Sequence, residues 1–239
     1  AKRLAWVLMG EEDASRLQMV QFHQSTSYEE FVCGYRPTAE GGFEPKAGTF
    51  VDFCDRAAAD PGRDYYFLID EINRANVSKV FGELLMLIEA DKRGEKLFLP
   101  VLDRTFTVPE NVLIVGMMNT ADRGLALIDY ALRRRFAFFE MPSAVGTEPF
   151  ERFIAAKGNG RLARLVSAVG ELNKVIAGDD SLGRGFCIGH SYFCLPDPVT
   201  DADVDSIVEY ELAPLLEEYW FDAPRKADEQ VRKLRAAIS

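Results

Sequence analysis

The stretch YYFLIDEINRAN, Tyr65–Asn76, decides how the rest of the chain is read. Tyr65 to Ile69 is a continuous apolar run of strand length, the pattern of a strand covered on both faces. It stops on two adjacent carboxylates, Asp70 and Glu71, with polar Asn73 and Arg74 just beyond. One charged residue ends a strand well enough. Two acids at one tip can share the chemistry between them. The first can hold a magnesium ion, directly or through water, while the second orients or deprotonates an attacking water. The plainer reading is a capped strand whose acids are merely solvated.

Downstream, Val77, Val80, Phe81, Leu84, Leu85 and Ile88 recur at helical spacing and predict a helix. Leu97–Val108 has two β-rich halves around Asp103-Arg104 and predicts a hairpin. Asn111–Thr120 repeats the first pattern, an apolar strand leading to polar Asn119. A helix from Leu125 to Arg134 and a strand Phe136–Glu140 are expected after it. Upstream, Met19–His23 is a short strand, and Ser27 with Glu30 is a capping-box pair opening a helix through Phe31. Gly34–Gly48 is rich in Gly and Pro and reads as a loop or flexible ribbon. Phe50, Phe53, Cys54 and Ala57 mark a helix that Asp60–Asp64 breaks. Strand and helix alternating in this order predict a parallel α/β sheet with crossover helices, with the tips of Tyr65–Ile69 and Val112–Met118 as neighbours. In such open sheets ligands sit beyond the carboxyl ends of the strands. Past Pro142 the pattern is helical: Leu162, Leu165, Val166, Val169 and Leu172 share one face, and Val204, Ile207, Val208, Leu212 and Leu215 another. The expected domains are 1–142, α/β, and 143–239, a smaller helical one.

The chain of 239 residues is 48% hydrophobic and 28% charged, as a folded soluble protein is. Its net charge of -10 argues against a broadly basic nucleic-acid face, though not against a local groove or pore. No apolar run approaches the roughly 20 residues that span a bilayer. AKRLAWVLMG, at the start, reads as a helix with Leu4, Val7 and Leu8 on one face rather than as a signal segment. Cys33, Cys54, Cys187 and Cys194 form no CxxC pair, so reduced thiols in a cytoplasmic protein are expected.

FLIDEINRAN, MMNTADRG and DYALRRRF together resemble the AAA+ family of ring-forming NTPases, and within it the McrB-type GTPase subunits of methylcytosine-specific restriction systems. VQFHQSTSYEEFVCGYRP and GFCIGHSYF extend that resemblance over nearly the whole chain. It implies an AAA+ type three-layer sheet domain followed by a helical lid. Asp70 then corresponds to the Walker B magnesium ligand and Glu71 to the acid that polarises water. Asn119 corresponds to sensor 1 at the γ-phosphate. Asp122 and Arg123 complete the signature, placing the water or bridging to a neighbour. Arg134 and Arg135 match the arginine-finger position, which in such rings acts on the neighbour's nucleotide. Gly124 departs from the family's usual Ser. The resemblance also implies Mg2+, GTP or ATP as substrate, a ring that is a hexamer in the intact protein, a nuclease subunit of McrC type, DNA bound indirectly or through the ring pore, and no membrane. The family's Gly-rich phosphate loop ending in Gly-Lys-Thr or Gly-Lys-Ser does not occur here. AKRLAWVLMG is similar to the helix that follows that loop. The expectation is therefore a piece of a longer NTPase, inactive by itself.

Other features have bland readings beside the sharp ones. Arg133–Arg135 is a solvated basic face if taken without its surroundings. Cys187, His190 and Cys194 have a zinc-like spacing but lack a fourth ligand, so packed thiols and a bonded His are expected. His23 is expected to be structural. The Gly34–Gly48 segment, with Arg36 and Lys46, either lines a ring pore or is a plain surface loop, and neither Arg184 nor His190 can be assigned as sensor 2. Three functions compete: an NTP-driven motor powering DNA translocation for a restriction nuclease, a nucleotide-free assembly module on the same fold, and a metal nuclease, which no E-x-K cluster supports.

Overall fold

A computed structural model describes residues 1–119 and 130–239 of the chain. They divide into two compact units, Ala1–Phe139 and Glu140–Ser239. The first runs through helix α1 (Lys2–Met9), strand β1 (Leu17–Gln21), helix α2 (Tyr28–Phe31), strands β2 (Cys33–Thr38) and β3 (Gly42–Ala47) and helix α3 (Thr49–Ala58). Strand β4 (Tyr65–Asp70), helices α4 (Val77–Phe81) and α5 (Leu84–Leu87), strands β5 (Leu97–Leu99), β6 (Arg104–Phe106) and β7 (Val112–Gly116), and helix α6 (Tyr130–Arg133) follow.

Strand β4 is the middle of a parallel sheet ordered β1-β4-β7, with Gln21 opposite Asp70 and Ile69 opposite Gly116. Its alternation explains why Tyr65–Ile69 is apolar throughout: every one of these residues is buried, but on two different sides. Tyr65, Phe67 and Ile69 enter the main core with Phe31, Phe50 and Phe53. Tyr66 and Leu68 pack with Ala5 of α1. The main core contains a cluster of packed aromatic rings. Phe31 stacks on Phe50 at 5.1 Å, and Phe50 meets Phe67 edge-on at 5.1 Å, geometries that aromatic quadrupoles favour. Gly48 permits this packing, since a Cβ there would lie 2.4 Å from the Phe31 carbonyl carbon.

Of the two readings of Gly34–Gly48, loop or ribbon, the structure has a ribbon: β2 and β3 pair antiparallel from Cys33-Ala47 to Thr38-Gly42. Three other expectations in this unit change. The helix expected over Val77–Ile88 is broken into α4 and α5 by Gly82, at φ 53°, although all six predicted positions are buried. In α1 the buried residue is Ala5, while Leu4, Val7 and Leu8 are 55%, 76% and 59% exposed. No strand forms at Phe136–Glu140. The N–H groups of Arg135 and Phe136 both donate to the Leu132 carbonyl and so prolong the α6 turn, while Phe138 and Phe139 are exposed. Residues 125–129, the first part of the expected α6, lie outside the described residues.

The second unit is helical: α7 (Glu148–Ala156), α8 (Gly160–Ala177), α9 (Asp201–Ser206), a π-helical turn (Ile207–Leu212), α10 (Ala213–Tyr219) and α11 (Pro224–Ile238). Asn159 caps α8 by accepting the Leu162 N–H at 2.9 Å, and Thr200 with Asp203 forms a reciprocal capping box at α9. All five apolar positions predicted on α8 are buried. The π-helical turn advances the register by one residue, so Leu216 rather than Leu215 is fully buried beyond it. Among the described residues no helix is long and apolar enough to cross a membrane.

Candidate active site

The two acids sit where the sheet delivers them. Asp70 is the last residue of β4, and its backbone carbonyl accepts the Phe22 N–H at 2.9 Å, which continues the β1 pairing to the strand tip. Its Oδ1 accepts the Glu71 N–H at 3.1 Å. Glu71 itself turns left-handed, at φ 52° and ψ 43°. On its far side the Ile72 N–H donates to the Met117 carbonyl at 3.0 Å, and the Met117 N–H donates to the Ile69 carbonyl at 2.8 Å. Ile72 is buried against Gly116, where a Cβ would lie 2.8 Å from Ile72 Cδ1. The backbone is therefore held on both sides of Glu71. A 3-10 turn, Ile72–Arg74, then brings Arg74 back so that its Nε donates to Glu71 Oε2 at 3.2 Å.

Asn119 lies three residues past the end of β7, the strand beside β4, and is exposed. Asp122 and Arg123, like Gly124, lie outside the described residues. The arginines divide. Arg133 and Arg134 are exposed. The side chain of Arg135 is only 18% exposed: its Nε donates to the Leu85 carbonyl at 2.9 Å, and its guanidinium pairs with Glu89. Sequence reasoning singled out the acids and the arginines but gave Arg74 no role. The signal was the i,i+3 spacing from Glu71, which a single turn makes a contact.

Among the described residues no three or more His, Cys, Asp or Glu side chains gather to hold a metal. Asp70 nonetheless fits magnesium, which takes one or two protein carboxylates and completes its octahedron with water and phosphate oxygens. Cys187, His190 and Cys194 are spent structurally. The Cys187 thiol donates to the Asn173 carbonyl, the Cys194 thiol donates to the His190 carbonyl, and His190 Nδ1 accepts the Ala144 N–H. Burial pushes the Cys187 thiol up, whereas Cys194, expected to be packed, is exposed.

The family described as AAA domain, dynein-related subfamily, matches residues 1–136, and McrB, alpha-helical lid domain, matches residues 164–228. A relative from Escherichia coli strain K12, the EcoKMcrB subunit of a type IV methyl-directed restriction enzyme, is 48% identical over 246 residues, covering 98% of this chain and 53% of its own length. A component of the type II restriction enzyme BsuMI, YdiS of Bacillus subtilis strain 168, is 30% identical over 128 residues, covering 48% of this chain and 37% of its own. The chain thus spans about half the length of the first relative, and less of the second.

Proposed function

Because the chain belongs to the AAA domain family, dynein-related subfamily, and carries a McrB-type lid, we propose that it is the core of an NTP-hydrolysing motor in a modification-dependent restriction system. Residues 1–142 are the large subdomain and 143–239 the lid. The observation that carries the reading is the pair Asp70 and Glu71 on the tip of the buried middle strand, next to the strand that leads to Asn119.

GTP is the favoured substrate and ATP the alternative. Asp70 would hold Mg2+, which would supply charge neutralisation at the phosphates when bound. Glu71 accepts the proton of the attacking water as its oxygen bonds to the γ-phosphorus. The bond from that phosphorus to the bridging oxygen breaks, and its electron pair leaves on the nucleoside diphosphate. Asn119 contacts the γ-phosphate, and Asp122 and Arg123 place the water or meet a neighbouring subunit. Arg134 is the arginine finger, because a finger must reach outward and Arg135 is engaged within its own unit. The assembly is a cytoplasmic ring, a hexamer, working with a nuclease subunit of McrC type and with DNA at or through its pore. Backbone N–H groups and a lysine of a Gly-rich loop hold the β- and γ-phosphates in such sites, and these 239 residues contain no such loop. We place it in the remainder of the parent protein.

Two measurements test this. In the loop-bearing parent, Glu71→Gln is expected to keep nucleotide affinity and to cut turnover by about 10²–10⁴-fold, and unchanged turnover removes the assignment. By itself the 239-residue chain presents Asp70 and Glu71 to a polyanion without the loop's positive field, so calorimetric titration with Mg-GTP or Mg-ATP is expected to give very weak binding. Micromolar affinity would mean that other groups hold the phosphates. The competing reading, a nucleotide-free assembly module, draws on the same missing loop and requires the parent also to bind neither nucleotide.

A further inference from the structure

The backbone on either side of Glu71 is fixed by the Asp70 side chain, the Met117 carbonyl and the Gly116–Ile72 contact, which leaves only the direction of the glutamate side chain to be set. The left-handed turn at Glu71 and the 3-10 turn after it direct one group at that carboxylate, the Nε of Arg74, in a bond reinforced by the Arg74 N–H donating to the Glu71 carbonyl at 2.8 Å. An ion pair as open as this one, with Arg74 46% exposed, contributes little to folding. Its consequence is geometric. We infer that Arg74 is a positioning residue, holding one carboxylate oxygen of Glu71 so that the group stands at a fixed angle over the strand tip, where it takes the proton of the attacking water. The inference rests on Glu71 being the proton acceptor.

A guanidinium suits this role. It is planar, permanently charged and rigid, and its Nε donates along a fixed direction, whereas a lysine ammonium is a flexible point charge. Arg74 makes further interactions besides this one, so a single substitution cannot isolate the effect. A double-substitution cycle can, since groups acting as one unit are non-additive.

The experiment uses the loop-bearing full-length protein and steady-state hydrolysis of Mg-GTP, with melting temperature as a folding control. Arg74→Ala is expected to lower kcat by about 10–100-fold, the scale of a misplaced catalytic group, with KM little changed. Arg74→Lys is expected to recover part of the loss. Arg74→Ala combined with Glu71→Gln is expected to be no slower than Glu71→Gln alone. If the two losses multiply, Arg74 acts through some other group and the inference is overturned. If kcat rises in Arg74→Ala, the pair restrains Glu71 rather than aims it, which also overturns it. A wild-type rate in Glu71→Gln overturns the proton-acceptor reading instead, and this inference with it. Should Arg74→Ala fail to fold, the same cycle run with Arg74→Lys decides.

Discussion

Arg134 and Arg135 are identical in type and adjacent in sequence, yet they stand in different environments. Arg135 is directed inward by the α6 turn, bonding the Leu85 carbonyl and Glu89, whereas Arg134 projects into solvent. This separates two effects that sequence alone left merged. Arg135→Ala leaves a carbonyl and a part-buried carboxylate without their donor, and is expected to cost about 1–3 kcal/mol of stability. Arg134→Ala is expected to leave stability within about 0.5 kcal/mol of wild type. In the loop-bearing parent it is expected to lower hydrolysis by up to about 10³-fold. Urea midpoints and turnover, measured on both variants, check the pair. A large stability loss in Arg134→Ala, or normal turnover with it, sinks the division. The acids were legible because a buried strand has few reasons to end on two charges. The arginines were legible as a cluster but not as individuals, because azimuth around a short helix decides which one points inward.

Among the elements, those whose sequence pattern coincides with burial were legible. A wholly apolar run identified β4, and i, i+3, i+4 spacing identified α8. The break at Gly82 was not legible, since the buried positions before and after it keep the spacing of one helix. Its cause is steric: φ 53° with ψ -133° is a region for glycine, and a Cβ would lie 2.7 Å from the ring of Tyr28. Tyr28 cannot easily withdraw, because its hydroxyl donates to Glu83 at 2.7 Å. Gly82→Ala is therefore expected to combine backbone strain with overpacking, about 2–4 kcal/mol in all. Denaturant unfolding with an unchanged slope checks it, and a loss under about 0.5 kcal/mol would show that the helix pair adapts. Phe136–Glu140 failed as a strand for a different reason. Apolar composition supplies a face to bury, but a strand also needs its N–H and C=O groups paired, and the N–H of its first residue, Phe136, is committed to Leu132 together with that of Arg135 just before it. On α1, spacing identified the helix but not its inward face, because a small residue, Ala5, is what meets the sheet. Leu215 packs against the core only in part, and Leu216, beyond a π-helical turn that leaves no mark in the sequence, is the residue fully buried there.

At the scale of the molecule, each of the two units has its own core, and Asp179 ties the second together across segments far apart in sequence. It lies just beyond α8. Its Oδ2 accepts from Trp220 Nε1 at 2.8 Å and from Lys226 Nζ, near the end of α10 and in the first turn of α11, and its Oδ1 accepts from Ser181. The Lys226 ammonium, followed by the Ser181 and Trp220 donors, holds the carboxyl well below the usual carboxylate range. The sign follows from linkage. The unfolded chain takes up this proton near pH 4, before the folded one does, so the contribution is complete above roughly that pH and is lost progressively as pH falls below it. Asp179→Ala is expected to cost about 2–3 kcal/mol at pH 7, because hydrogen bonds to a charged group and a part-buried donor are lost together. The gap from wild type should narrow steadily below about pH 4. The difference between the two proteins is the quantity to follow. With a net charge of -10, acidification changes the stability of the whole chain, but that change is common to both and largely cancels. Trp220 is one of two tryptophans and is buried in this unit, so a Trp6→Phe background makes its fluorescence a local reporter. A gap that stays constant from about pH 7 to pH 3 would show that Asp179 acts through packing alone and that its charge is not what binds the three segments.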